Sequence, residues 1–257
     1  MPLGLEPVAR ASLSDAVFDQ LAGQILARRV EPGQPLPSER DLCKALGVNR
    51  QALREALKRL SQAKLIEQRH GGGTTVLDYR RTAGLDLLSR LLISPTGEPD
   101  LSVARSIMEM RAALAPDIAR LCALRAEPEL RRMLGEIVED MRKAGPEQLE
   151  RLQVLSLELW ELLVTGADNI AYRLAFNTLR ETYEQIRGAL VIALADELRA
   201  IDECASLVAA IDIRDGELAR ARAAEIVEHG TRGVLTAIEL FDELERRNTP
   251  RQQESPT

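Results

Sequence analysis

The sequence predicts a mainly α-helical chain in two unlike parts: a small N-terminal helical unit that carries a β-hairpin, and a larger C-terminal unit of helices alone. Three observations predict it. Only seven residues are aromatic (Phe18, Phe176, Phe241, Tyr79, Tyr172, Tyr183, Trp160) although 45% are hydrophobic, so the core is built from Leu, Ala and their aliphatic kin, a composition that favours helices over a β-sandwich. Apolar residues recur at helical spacing along most of the chain, and strand-like runs occur only between Lys64 and Asp78, around three glycines. The net charge of −6 is also unevenly shared: residues 1–80 hold 12 basic against 9 acidic side chains, and residues 81–257 hold 22 against 31. A +3 segment joined to a −9 segment suggests a polyanion-facing module attached to something different.

Several classes are excluded at once. The apolar content is that of a globular chain, not a disordered one. Cys43, Cys122 and Cys204 are odd in number and widely spaced, which fits neither a disulfide framework nor a metal motif. Met1–Ala11 lacks the basic end and apolar run of a signal peptide. The longest uncharged apolar run, Gly188–Ala195, is far shorter than the ~20 residues of a membrane helix. The chain therefore reads as cytoplasmic, with no membrane partner and with reduced thiols.

Val17, Leu21, Ile25 and Leu26 give a first helix over 13–30, with Ser14 as its N-cap. Glu31–Pro37 cannot continue it and reads as a tight extended turn. Ser38 caps a second helix, with Asp41 three residues on in capping-box style and Gly47 as C-cap. Asn49 caps a third that runs to about Ala63. Two short helices joined by a Gly-containing turn make a helix-turn-helix. In the third helix Leu53, Leu57 and Leu60 form the buried stripe, while Arg50, Arg54 and Lys58 follow at i, i+4 and i+8 along another face. In such a motif the start of that helix meets base edges, where Arg reads guanine and Gln51 reads adenine. Lys64–Arg69 and Thr74–Asp78 then form a hairpin wing around His70-Gly71-Gly72-Gly73. No Lys-Ser/Thr pair or helix follows these glycines, so they are not a phosphate loop.

Three stretches carry a family resemblance: Pro35–Leu42, Gly47–Leu57 and His70–Thr74. In this order, over about 65 residues, they resemble the GntR transcriptional regulators. That resemblance implies contacts to double-stranded DNA from Arg40, Asn49, Arg50, Gln51 and Arg54, with His70 and Gly71 at a wing tip in the minor groove.

From Thr82 to Ile93 the spacing predicts a linker helix, broken by Ser94–Pro99. Beyond it, helices are expected over 101–125 with a kink at Pro116, then 128–143, 147–165, 168–186, 188–210, 215–229 and 231–247. The division is 1–78 winged helix-turn-helix, 79–99 linker helix and loop, 100–247 helical domain, and 248–257 a polar, frayed tail.

This second half is similar to the FCD effector domain of the FadR subfamily, which implies an antiparallel helical bundle that binds a small molecule. Arg111 matches that domain's first-helix arginine, and Gly166-Ala167-Asp168-Asn169 its turn. Many FCD domains hold a divalent metal on one Asp and three His. Aligned on Asn169, those positions are Ser156, Trp160, Cys204 and His229 here. A Ser, a Trp and one His do not hold such an ion, even with Cys204 as a thiolate, so no metal and no cofactor is expected. A bundle without its metal, together with the wing and linker, resembles the acyl-CoA-responsive fatty-acid regulator that gives the subfamily its name. Arg111, Leu155, Leu159, Trp160, Leu163, Tyr172, Tyr183, Cys204 and His229 are the candidate pocket residues. Most of them would serve equally as bundle core.

The resemblance thus implies a homodimeric repressor or dual regulator that binds a pseudo-palindromic operator under effector control. A fatty acyl-CoA is the effector it suggests. A different organic acid, or a bundle that only dimerises, are the alternatives. An enzyme is not expected: His70 and His229 are the sole histidines, and no nucleophile elbow or paired-His motif is present.

Overall fold

The structure is a computed structural model that describes residues 13–69, 73–93 and 99–248. The chain divides into two compact units, residues 1–99 and 100–257.

The first unit holds α1 (Leu13–Leu26), α2 (Glu39–Leu46), α3 (Arg50–Gln62), β1 (Ile66–Arg69), β2 (Gly73–Val76), α4 (Tyr79–Thr82) and α5 (Leu88–Leu92). Its core is the apolar stripe of α1 (Val17, Phe18, Leu21, Ile25) packed against that of α3 (Leu53, Leu57, Leu60), closed by Leu65, Ile66 and Val76 from the hairpin. β1 and β2 pair antiparallel in the register Ile66↔Val76 to Arg69↔Gly73. The Pro-rich segment before α2 is not merely a turn. Gly33 takes a positive φ, its N–H donates to the Val76 carbonyl, and the Leu36 N–H donates to the Thr74 carbonyl, both at 2.8 Å. It therefore lies along the free edge of β2 and satisfies backbone groups the hairpin would leave exposed.

Two expectations in this unit are corrected. α1 stops at Leu26, short of Val30, because Arg28 turns into the left-handed region at φ 51. The linker is no single helix: α4 ends at Thr82, a 3-10 turn covers Leu85–Leu87, and α5 follows. Gly84 starts that turn in extended backbone, which the continuous leucine spacing did not reveal. The expected break at Ser94–Pro99 lies mostly outside the described residues, as does the tail from 249.

The second unit is an all-helical bundle: α6 (Leu101–Arg125), α7 (Pro128–Ala144), α8 (Leu149–Ala167), α9 (Ile170–Ala193), α10 (Ala195–Arg199), α11 (Ile201–Asp212) and α12 (Gly216–Asn248). α12 packs chiefly along α6, which also packs on α8. Their shared core includes Ala119, Cys122, Leu155, Leu159, Leu163, Leu207, Ala223 and Val227. Pro128 opens α7, where its missing N–H is harmless, and α6 continues as one helix through Pro116.

Here too the helix boundaries shift. α9 continues through Gly188 to Ala193, so the expected 188–210 helix is the end of α9 followed by α10 and α11. The interruptions fall at Leu194 and Ala200, whose ψ angles of 8° and 51° leave the helical range. α12 is one helix where two were expected, running unbroken through Gly230 and Gly233. Both glycines are packing positions, as shown below, and not breaks.

Candidate nucleic-acid interface and bundle site

The start of α3 is fixed by local chemistry. The Ser38 hydroxyl accepts the Asp41 N–H at 3.3 Å and donates to the Asp41 carboxylate at 2.6 Å, which caps α2. Gly47 closes α2 at φ 66, a conformation only glycine takes freely. The Asn49 Oδ1 then accepts the Ala52 N–H at 2.8 Å and begins α3 one turn later. With Ala52, Leu53, Ala56, Leu57 and Leu60 buried, Arg50, Gln51, Arg54 and Lys58 are left exposed on the outer face. Arg40 on α2 is 86% exposed beside them. Arg54 is held in place: its Nε donates to Glu39 Oε2 at 2.9 Å, across from α2. Arg50 and Lys58 have no ion-pair partner among the described residues. Five of the seven expected contact residues are thus gathered on α2 and α3, with Asn49 also serving as the helix cap. The other two, His70 and Gly71, lie outside the described residues.

This face offers three cations on α3 and one on α2. Such a surface binds phosphate oxygens and guanine edges, and Gln51 adds a donor–acceptor pair that suits adenine.

In the bundle, Arg111 on α6 reaches Glu197 on α10, and its Nη2 donates to Glu197 Oε1. Glu197 is 5% exposed, yet sequence reading missed it, because an acidic residue between Leu194 and Leu198 gives no signal of burial. The Arg111 guanidinium carbon also lies 5.9 Å from the centre of the Trp160 ring, at cation–π range. Tyr183 and Cys204 lie within electrostatic reach of Glu197. Burial pushes the Tyr183 hydroxyl and the Cys204 thiol each up to about 12, so both are protonated at neutral pH. Buried Gln153, a second residue without sequence signal, donates to the Arg187 carbonyl at 3.0 Å and accepts from Arg187 Nε at 3.1 Å.

Of the expected pocket residues, Arg111 thus contacts the buried Glu197 carboxylate and lies over the Trp160 ring, while Tyr183 and Cys204 sense the charge of Glu197. Leu155, Leu159 and Leu163 lie in the core beside them. Tyr172 is committed elsewhere: its hydroxyl donates to Asp117 Oδ2 at 2.9 Å. His229 is half-buried on α12, next to Gly230. A groove of about 1070 Å³ runs between α7, α8 and α9, lined by Met133, Ile137, Leu157 and Leu162 under a rim of Glu158, Glu161, Glu181 and Glu184. None of the expected pocket residues lines it.

The residues at the family's metal positions do not fit an ion. Ser156 and Trp160 stand at two of those positions and offer no good ligand atom, and the Trp160 ring faces a guanidinium. Among the described residues no group of three or more His, Cys, Asp or Glu is placed to hold a metal.

Residues 13–76 match the bacterial regulatory proteins of the gntR family, and residues 106–229 match the FCD domain. The HTH-type transcriptional regulator Mce2R of Mycobacterium tuberculosis is 41% identical over 228 residues, covering 88% of this chain and 93% of that protein. The fatty acid metabolism regulator protein of Serratia proteamaculans is 30% identical over 161 residues, 62% of this chain and 64% of that one. Among solved structures, Lar, which controls expression of the Listeria monocytogenes agr system, superposes with a TM-score of 0.51 at 16% identity, covering 88% of this chain and 98% of Lar. That is a likeness of fold alone. The chain belongs to the GntR family and is a transcriptional regulator, with the family's DNA-binding domain followed by an FCD effector-binding domain.

Proposed function

We propose that the chain acts as a homodimer on a pseudo-palindromic operator, and that an organic effector in the bundle changes its operator affinity. The observation that carries this reading is the exposed row Arg50, Arg54 and Lys58 at the capped start of α3, beside Arg40. Arg50 and Gln51 read base edges, while Arg40, Arg54 and Lys58 set the register on phosphates. His70 and Gly71 complete the contact from the wing. A two-fold protein meets a two-fold site, because each reading unit takes one half-site.

A fatty acyl-CoA is the effector we favour. The Serratia relative is a fatty acid metabolism regulator, and Leu155, Leu159 and Leu163 share one apolar core with Trp160. The effector acts by binding one state of the dimer better than the other.

The recognition face is tested by Arg50→Ala in an operator titration at fixed salt. The variant loses about 1–3 kcal/mol of specific affinity, or roughly 5- to 150-fold, with non-operator binding little changed. Unaltered operator affinity would remove Arg50 from the reading face.

A further inference from the structure

The buried pair in the bundle is incomplete. Arg111 Nη2 and Glu197 Oε1 satisfy each other, but Arg111 Nη1 and Glu197 Oε2 are both buried with no hydrogen-bond partner among the described residues. They leave one donor and one acceptor at the same ion pair. Nor is the pair placed by chance. Glu197 Oε2 lies over the α12 backbone at Gly230, where any Cβ would collide with it. A glycine inside a 33-residue helix thus makes room for a carboxylate that has no second partner. Stability alone does not account for this, because a buried ion pair rarely outperforms well-packed apolar residues.

We propose that Arg111 and Glu197 anchor a ligand in the bundle, and that the anchored group is a neutral carboxamide and not a free carboxylate. The inference rests on the reading of the bundle as an effector site. A carboxamide carries one acceptor and one donor a short distance apart. Its C=O accepts from Arg111 Nη1 while its N–H donates to Glu197 Oε2, so both orphaned atoms are satisfied and no charge is added. A carboxylate brings only acceptors. It would face Glu197 across a guanidinium that Glu197 already neutralises, and two carboxylates in one buried site repel. Tyr183, protonated at neutral pH, adds no competing anion. Beside the pair, Trp160 offers an apolar ring for the ligand's hydrocarbon part.

The test compares octanamide with octanoate, matched in chain length, by calorimetric titration and thermal shift on the full chain. Wild type binds octanamide at least about tenfold tighter than octanoate. In Glu197→Gln the guanidinium loses its internal counter-charge and the acceptor becomes an amide. Octanoate then gains and octanamide weakens, so the order inverts. Wild type that binds octanoate as tightly as octanamide overturns the proposal. So does a wild type that binds neither probe, or octanamide binding that Glu197→Gln leaves unchanged. Operator binding separates this proposal from the broader one. If acyl-CoA releases the operator while neither probe binds, the carboxamide anchor fails and effector control stands. If the inversion is found but no effector moves operator affinity, the anchor stands and the control fails.

Discussion

One carboxylate ties three helices of the bundle together. Asp117 on α6 accepts from Arg120 Nε at 2.8 Å, from Arg220 Nη2 of α12 at 2.6 Å, and from the Tyr172 hydroxyl of α9 at 2.9 Å. The hydrogen bond from Arg120, with smaller contributions from Tyr172 and Arg220, outweighs burial and pulls its carboxyl down to about 2. The same bond to Asp117 raises the Tyr172 hydroxyl. Because the folded state holds the proton less tightly than the unfolded chain, the stabilisation is complete above about pH 4 and fades as pH falls toward 2. At neutral pH Asp117→Asn is expected to lose about 1–2 kcal/mol, once solvent screening is allowed for. Urea unfolding of the two proteins at stepped pH would show that gap closing between about pH 4 and pH 2. A gap that does not vary with pH would leave Asp117 without the role described here. At this scale the sequence discloses caps and little else. Ser38, Gly47 and Asn49 are legible because each bonds within three or four residues of itself. Tyr172, Gln153 and Glu197 are not, because their partners come from other helices.

Glycines and left-handed residues decide where the helices of this protein begin, end and touch. Gly166 lies near the end of α8, where a Cβ would strike Cys122 Sγ and crowd Leu130 and Ala126. It allows α8 to approach α6 and α7 closely, and the actual stop is Asp168 at φ 43, followed by the Asn169 cap of α9. Gly233 is tighter still: a Cβ there would collide with the Ala193 carbonyl oxygen, which is backbone and cannot swing away. Gly→Ala inside a helix ordinarily stabilises by up to ~1 kcal/mol. At Gly233 the sign should reverse, with Gly233→Ala costing about 1–3 kcal/mol because α12 must move off the end of α9. Thermal unfolding of this variant beside Gly135→Ala, a helical glycine with open space around it, decides the matter. Equal stabilisation by both would refute the close approach. The sequence pattern placed a break at Gly230 because glycine also punctuates loops, and composition does not separate a packing glycine from a terminating one. Other helices stop near non-glycine residues at positive φ, and Arg28, Lys64 and Arg214 among them carry no compositional mark.

Across the whole chain, the acidic total conceals a DNA-binding protein. The −6 charge resolves into +3 over residues 1–80 and −9 over the remainder, and five cations of the first part, Arg40, Lys44, Arg50, Arg54 and Lys58, are exposed on α2 and α3. Operator affinity should therefore fall steeply with salt, each phosphate contact adding about 0.9 to the slope of log affinity against log salt. Lys58→Ala should lower that slope by about one unit and weaken operator and non-operator DNA alike, as a lost phosphate contact does. A Lys58→Ala variant with the wild-type slope would assign the residue to the solvated face. The sequence by itself determined the helical class, the capped helix pair with its hairpin and the cation row, because periodicity, caps and residue chemistry act over a few neighbouring positions. The tertiary structure alone decided which polar groups meet inside the bundle. Arg111 and Glu197 stand 86 residues apart, and only the packing of α6, α10 and α12 brings them together in a setting dry enough for an unpaired donor and acceptor to matter.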